Sequence, residues 1–183
     1  MTHRRRLTTA AAVLALAAAP VLAAPSAGAA TTATTADFGP AEIRTGMGAG
    51  PNDLCLEVAD WRTDDGAPVR IWTCTGGANQ KWTQTAGGWI NQNSGKCLEI
   101  PAFSTTPGTQ AGQWTCNGGS NQQWSDPSVS HAGTPRHIVN ANSGLSLDVA
   151  WGVIADGTAV IQWDFHAGAN QFWHYNPEKD PYA

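Results

Sequence analysis

The sequence predicts an all-β fold made of three tandem copies of one short unit about a pseudo-threefold axis. Three observations carry the prediction. The first is a gap-free repeat. One segment opens Cys55-Leu56-Glu57-Val58 and closes Asn79-Gln80-Lys81-Trp82. A second runs from Cys97-Leu98-Glu99-Ile100 to Asn121-Gln122-Gln123-Trp124, and a third from Ser146-Leu147-Asp148-Val149 to Asn170-Gln171-Phe172-Trp173. The offset from first to last residue is 27 in each. Gly66, Gly108 and Gly157 lie nine residues after the acid, Trp72, Trp114 and Trp163 fifteen after it, and Cys74, Cys116 and Phe165 seventeen after it. The second observation is composition: 20 Gly and nine Trp among 183 residues, with only 13% charged. The third is a set of four cysteines, which suits a small domain stapled in an oxidising compartment.

Taken in chain order, Met1 to Ala29 reads as a signal peptide. Arg4-Arg5-Arg6 is a basic head, Leu7 to Ala19 an apolar run, and Ala27-Gly28-Ala29 a small-x-small cleavage site. The apolar run is short and followed by Pro20, which argues against a membrane span of ~20 residues. Residues 30–41 read as a flexible Ala/Thr linker, 42–176 as the folded domain, and 177–183 as a tail. The repeats are placed at about 42–84, 85–126 and 136–175. Unit spacing is 42 and then 49, and the extra residues fall between Trp124 and Ser146, where Pro127, Gly133 and Pro135 predict a surface loop.

Within each unit, Leu-Glu-Val, Leu-Glu-Ile and Leu-Asp-Val alternate apolar with acidic. This predicts strands whose carboxylates face away from the core. Val69 to Trp72 and Val160 to Trp163 are β-prone, and each follows an Asp-Gly turn signal. Leu, Ile, Val and Phe supply only 23 of the 154 residues after the leader, so Trp has to build much of the core. Three such units close a small barrel, whereas a propeller needs ~4–8 blades. The same 154 residues carry seven Lys/Arg against fourteen Asp/Glu, a net of −7, which excludes a phosphate-neutralising nucleic-acid face.

The three Gln-x-Trp endings, Gln80-Lys81-Trp82, Gln122-Gln123-Trp124 and Gln171-Phe172-Trp173, resemble the ricin B-type lectin family, also known as family 13 carbohydrate-binding modules. The Cys-Leu-Glu openings resemble it too, and the match covers roughly 42–173. The resemblance implies a β-trefoil whose Gln-x-Trp tryptophans Trp82, Trp124 and Trp173 pack the core. Four cysteines allow three connectivities. Equivalence under the repeat selects Cys55–Cys74 and Cys97–Cys116, while the third unit has Ser146 and Phe165 at the matching places, with Phe165 as apolar filler.

A sugar presents a polar edge and a C–H face, so its site needs a carboxylate or amide and an aromatic plate. The resemblance implies carbohydrate-binding sites at Asp148, Trp163, Asn170 and Gln171 in unit three, at Glu57, Trp72, Asn79 and Gln80 in unit one, and at Glu99, Trp114, Asn121 and Gln122 in unit two. Unit three matches the family pattern best. Units one and two carry Glu where family sites carry Asp, and Arg70, Gly112 and Ile161 stand where the family has a polar Gln. The competing role for the three tryptophans is strand packing beneath a loop, and for Asp148 the anchoring of loop amides. Trp61 and Trp151, four and three residues after the acid, either widen a subsite or cover a loop.

No metal-ligand spacing joins His131, His137, His166 and His174, no nucleophile motif occurs, and the repeat turns the acids away from one another. The expectation is therefore a secreted, non-catalytic lectin without cofactor or metal. Its partners would be galactose-type sugars or arabinose- and xylose-containing plant polysaccharides, with no nucleic acid and no membrane span. The alternatives are a protein-binding scaffold such as a protease inhibitor, or a targeting subunit of a larger complex.

Overall fold

A computed structural model describes residues 40–47, 53–86, 88–127 and 135–175. They fall in one unit of the chain, 34–183. The leader 1–29, the linker up to 39, the tail 177–183 and positions 128–134 of the inter-unit loop lie outside the described residues.

Unit one contributes β1 (Ala41–Thr45), β2 (Leu54–Val58), β3 (Val69–Thr73) and β4 (Lys81–Thr85). Unit two contributes β5 (Gly88–Asn91), β6 (Cys97–Glu99), β7 (Gly112–Trp114) and β8 (Trp124–Ser125). Unit three contributes β9 (Arg136–His137), β10 (Val139–Asn140), β11 (Ser146–Val149), β12 (Val160–Trp163) and β13 (Phe172–Tyr175). β9 and β10 are halves of one strand interrupted at buried Ile138: β9 pairs with β13, and β10 with β8 and β11. Each unit thus supplies four strand positions, the arrangement of a β-trefoil. β1 begins at Ala41, opposite Trp82, one residue before the boundary expected from sequence.

The second and third strands of each unit form a hairpin with one register. Cys55 lies opposite Trp72, Cys97 opposite Trp114, and Ser146 opposite Trp163. The hairpins also bond to one another in a ring. Val69 N–H donates to Ala111, Ala111 N–H to Val160 and Ile71 N–H to Thr158, each at 2.9 Å. Gly66, Gly108 and Gly157 turn the chain with φ of +83°, +88° and +88°, a region that favours glycine. Their bare faces receive the rings of Trp114, Trp163 and Trp72 respectively, each from the neighbouring unit. The aromatic plate of one unit is therefore backed by the turn of another.

The core repeats threefold. Leu56, Leu98 and Leu147 are one set of equivalent buried residues, Val58, Ile100 and Val149 a second, and Val69, Ala111 and Val160 a third. Trp82 and Trp173 are fully buried, and their indole N–H groups donate to the carbonyls of Leu56 and Leu147 at 2.9 and 3.0 Å. Trp124 makes the same bond to Leu98 at 3.0 Å but is only partly buried, so it is a lesser core residue than its repeat position predicts.

The disulfides Cys55–Cys74 and Cys97–Cys116 both form, with Cα atoms 5.1 Å apart. Unit three replaces its missing bridge with three side chains. The His137 ring stacks on Phe165 at 4.0 Å, and His137 Nε2 hydrogen-bonds Ser146 Oγ at 2.6 Å. Burial pushes the His137 pKa down, disfavouring the charged form of the ring. Phe165 is itself half exposed, so it partners a surface ring and does not fill the core.

Candidate functional site

The alternation in Leu-Glu-Val predicts carboxylates facing away from the core. They do leave the apolar layer, but they are not solvated: Glu57 and Glu99 are 4% exposed and Asp148 is 2%. Each lies beneath the turn that precedes the Gln-x-Trp motif, and each is held there by amides. In unit three, Asn170 Nδ2 donates to Asp148 Oδ1 at 2.9 Å and to the Val149 carbonyl at 3.3 Å. In unit two, Asn121 and Gln122 donate to Glu99 Oε2 at 3.2 and 3.1 Å. In unit one, Asn79 and Gln80 donate to Glu57 Oε2 at 3.3 and 3.0 Å.

Gln80, Gln122 and Gln171 are fully buried and stand one layer below any cleft surface. Their carbonyl oxygens accept backbone N–H bonds from Thr75, Asn117 and His166, and their amides donate to the carbonyls of Thr73, Thr115 and Asp164. They shape the turn that presents the asparagine, and do not line the surface themselves.

The three units then diverge at the residue opposite the acid. Register pairs Glu57 with Arg70, Glu99 with Gly112 and Asp148 with Ile161. In unit one, Arg70 Nε donates to Glu57 Oε1 at 2.8 Å and Nη2 to Asp60 at 3.0 Å. The same guanidinium lies 4.3 Å above the centre of the Trp72 ring. Burial works against its charge, but the bonds and charges of Glu57 and Asp60 outweigh that and hold its pKa above the ordinary arginine value. The aromatic plate and carboxylate of unit one are thus both engaged by the chain's own cation. In unit two Gly112 brings no side chain to Glu99, a Cβ there would lie 3.1 Å from the Ala67 carbonyl oxygen, and Trp114 is 43% exposed.

Unit three is open. A cleft of about 280 Å³ is lined by Asp148, Trp151, Gly152, Ile161, Trp163, His166 and Asn170. Asp148 Oδ2 is buried at its floor with no hydrogen-bond partner. His166 Nε2 stands 3.6 Å away, beyond hydrogen-bond reach. Burial pushes the Asp148 carboxyl up from its ordinary value, against the opposing effects of Asn170, Gln171 and His166. His166 Nδ1 accepts the Gly168 N–H at 3.2 Å, which leaves the Nε2–H tautomer pointing at the cleft. Both amide hydrogens of Asn170 are taken by Asp148 Oδ1 and the Val149 carbonyl, so the floor offers one acceptor, Asp148 Oδ2, and one donor, His166 Nε2, between two indole walls.

Of the residues expected from sequence, Asp148, Trp163 and Asn170 come together in this cleft. Ile161 stands there at the position where the family has Gln, while sequence reasoning did not place His166 there. The signal for His166 lies in the repeat: Thr75, Asn117 and His166 are equivalent, two residues before Gly77, Gly119 and Gly168. All three accept the N–H of that glycine.

The fold is that of a β-trefoil with one open aromatic-walled cleft among the described residues. The ricin-type beta-trefoil lectin domain-like family matches residues 89–163 and 129–183, and the chain belongs to that family. No curated protein matches the sequence. Among solved structures, the chain is similar to a designed threefold-symmetric protein, ThreeFoil, at 30% identity and a TM-score of 0.68, covering 76% of this chain and 99% of that one. It is also similar to an exo-beta-1,3-galactanase from Clostridium thermocellum, at 27% identity and a TM-score of 0.68, covering 77% of this chain and 30% of that one. A third is a non-toxic homologue of type II RIPs from Momordica charantia (bitter gourd), in complex with alpha-methyl-D-galactoside. That match has 25% identity and a TM-score of 0.56, covering 75% of this chain and 47% of that one. The chain therefore spans about a third of the galactanase and about half of the bitter gourd protein. Its family and fold support a carbohydrate-binding lectin role.

Proposed function

We propose that this protein is a secreted, non-catalytic lectin whose working site is the unit-three cleft. Its ligands are galactose-type or arabinose- and xylose-containing glycans. The observation that carries the reading is Asp148 Oδ2, a buried carboxylate oxygen without a hydrogen-bond partner at the floor of an open, aromatic-walled cleft. A sugar hydroxyl donating to it would satisfy that oxygen, which Asn170 holds in place, His166 would donate to a neighbouring hydroxyl, and the C–H face would lie on Trp163. The galactoside bound by the bitter gourd protein supports a galactose-type ligand. Two disulfides and the signal-like residues 1–29 support export. A monosaccharide buries few atoms, so a single site would bind it with a Kd of about 0.1–1 mM. A glycan array with the parent and Asp148→Asn tests the proposal. A defined hit lost in the variant supports it, whereas no hit from a folded parent favours a protein-binding scaffold.

Binding should depend on pH through Asp148. The hydroxyl donates to the carboxylate, so the sugar favours the ionised form. Because burial raises the Asp148 pKa, affinity should begin to fall on acidification above the ordinary aspartate value of about 3.9. Stability runs the other way. The folded state holds this proton more tightly than the unfolded chain, so stability from the Asp148 carboxyl is lost as pH rises through its folded-state pKa. Titration calorimetry across pH, beside a circular dichroism check of folding, separates the two. Affinity that rises on acidification would contradict the role given to Asp148.

Arg70 closes unit one. Replacing it with the residue of unit three, Arg70→Ile, frees the Trp72 face and Glu57 Oε1. The expected result is one additional sugar bound per chain by calorimetry. An unchanged stoichiometry in a folded variant would show that Arg70 is not what keeps unit one closed.

A further inference from the structure

Trp151 stands apart from the equivalent aromatics. In units one and two the aromatic occupies the second of two left-handed residues, Asp60-Trp61 and Ala102-Phe103. There it folds back over the turn glycine: a Cβ on Gly77 would lie 2.8 Å from the Trp61 ring, and one on Gly119 would lie 3.0 Å from Phe103. In unit three the aromatic moves one residue earlier and Gly152 takes the second left-handed place, with φ of +64° after +59° at Trp151. The turn glycine Gly168 is covered instead by the His166 ring, 2.4 Å from where its Cβ would be. Trp151 is thereby released from packing. It is 87% exposed, against 55% for Trp61 and 51% for Phe103.

The released ring is placed against the cleft. Its centre is 6.2 Å from that of Trp163, the planes are tilted by 50°, and it lines the cleft. Val153 and Ile154 follow it in sequence and are also half exposed, so this loop presents an apolar shelf to solvent. The cleft itself, at about 280 Å³, falls just below the ~300–1,000 Å³ of pockets that enclose drug-sized ligands. The exposed Trp151 indole stands beside Trp163 on the wall of that cleft.

Building on the lectin reading above, we propose that unit three recognises two consecutive sugars of a glycan. The terminal ring sits on the Asp148 floor against Trp163, and the next ring rests its C–H face on Trp151. The protein would then select the end of an oligosaccharide over the free monosaccharide. The tilt between the indoles sets the angle between the two sugar planes, so linkage as well as identity is read.

The test is calorimetry on the parent and Trp151→Ala with two matched pairs: methyl β-galactoside against lactose, and methyl β-xyloside against xylobiose. The parent should bind one disaccharide about three- to tenfold more tightly than its monosaccharide, the range expected for one added ring on an indole. Trp151→Ala should bring that ratio to about one, and with the side chain so exposed the fold should survive. A ratio of one in the parent, or a ratio kept in the variant, overturns the second subsite and leaves the lectin reading standing. Failure of a folded parent to bind any of the four sugars overturns both. Self-association of the parent that Trp151→Ala abolishes, seen by sedimentation, would assign the shelf to a second copy of the chain and also overturn the proposal.

Discussion

Trp163→Ala is expected to remove sugar binding at unit three while leaving the protein folded. The side chain is partly exposed at the cleft wall, its ring edge resting on Gly108 of the neighbouring unit. It takes little part in the apolar core, where the buried set is built from Leu, Val, Ile and other tryptophans. What it supplies is a rigid apolar plate, held at a fixed angle by the glycine behind it and facing the Asp148 floor. Without the plate, the polar groups of Asp148, Asn170 and His166 must bind a hydroxylated ligand in competition with water, a contest that yields little net affinity. Titration calorimetry should show binding weakened more than tenfold, and a thermal melt should show a folded variant. Affinity equal to the parent's would remove unit three as the site.

Trp173→Ala should have the opposite signature: a large loss of stability, with binding lost only through unfolding. Trp173 is fully buried, and its indole N–H is satisfied by Leu147. Truncation leaves a large cavity and an orphaned carbonyl, at a cost of about 3–5 kcal/mol. Against a total stability of about 5–15 kcal/mol for a domain, this brings the fold close to collapse. Trp124→Ala, at the equivalent but only partly buried position, should cost clearly less. Denaturant midpoints of the two variants measure the difference, and equal losses would contradict the burial seen here.

The fold was readable because the repeat fixes one unit's neighbours by analogy with the others. Both disulfides follow from equivalence, and the family resemblance implied the buried Trp82 and Trp173, though it implied Trp124 as well, which is only partly buried. What escaped were effects that depend on a pairing across strands or on which loop covers which. The burial of Glu57, Glu99 and Asp148 could not be read from alternation, because the Gln-x-Trp turn folds over them and provides amide donors. Arg70 was visible as a departure from the family pattern. Its position over Trp72 follows only once Glu57 is known to face it across the hairpin.

Two buried asparagines were legible but passed over. The motif Asn-x-Asn-Ser-Gly occurs at Asn91 and again at Asn140. Asn91 and Asn140 donate to the carbonyls of Asn79 and Asn121, tying each Gln-x-Trp turn to the next unit. Likewise Gln113 and Gln162 are fully buried and bridge neighbouring turns, Gln113 to Arg62 and Asp64, and Gln162 to Ser104 and Thr106. Unit one carries Ile71 at that place, which shows how the threefold pattern bends where one unit abandons polar ties for packing.

The three units thus share one scaffold and differ in a few side chains that decide access. Arg70 engages the first, Gly112 brings no side chain to Glu99 in the second, and Asp148 with Trp163, His166 and Asn170 forms an open cleft in the third. The most direct test is an ¹⁵N–¹H spectrum of the tryptophan indoles during titration with galactose, and with xylose in parallel. The Trp163 indole signal should move with one of the sugars, while those of Trp72, Trp82 and Trp173 stay in place. Movement of the Trp72 signal with Trp163 unchanged would contradict the assignment of the site to unit three.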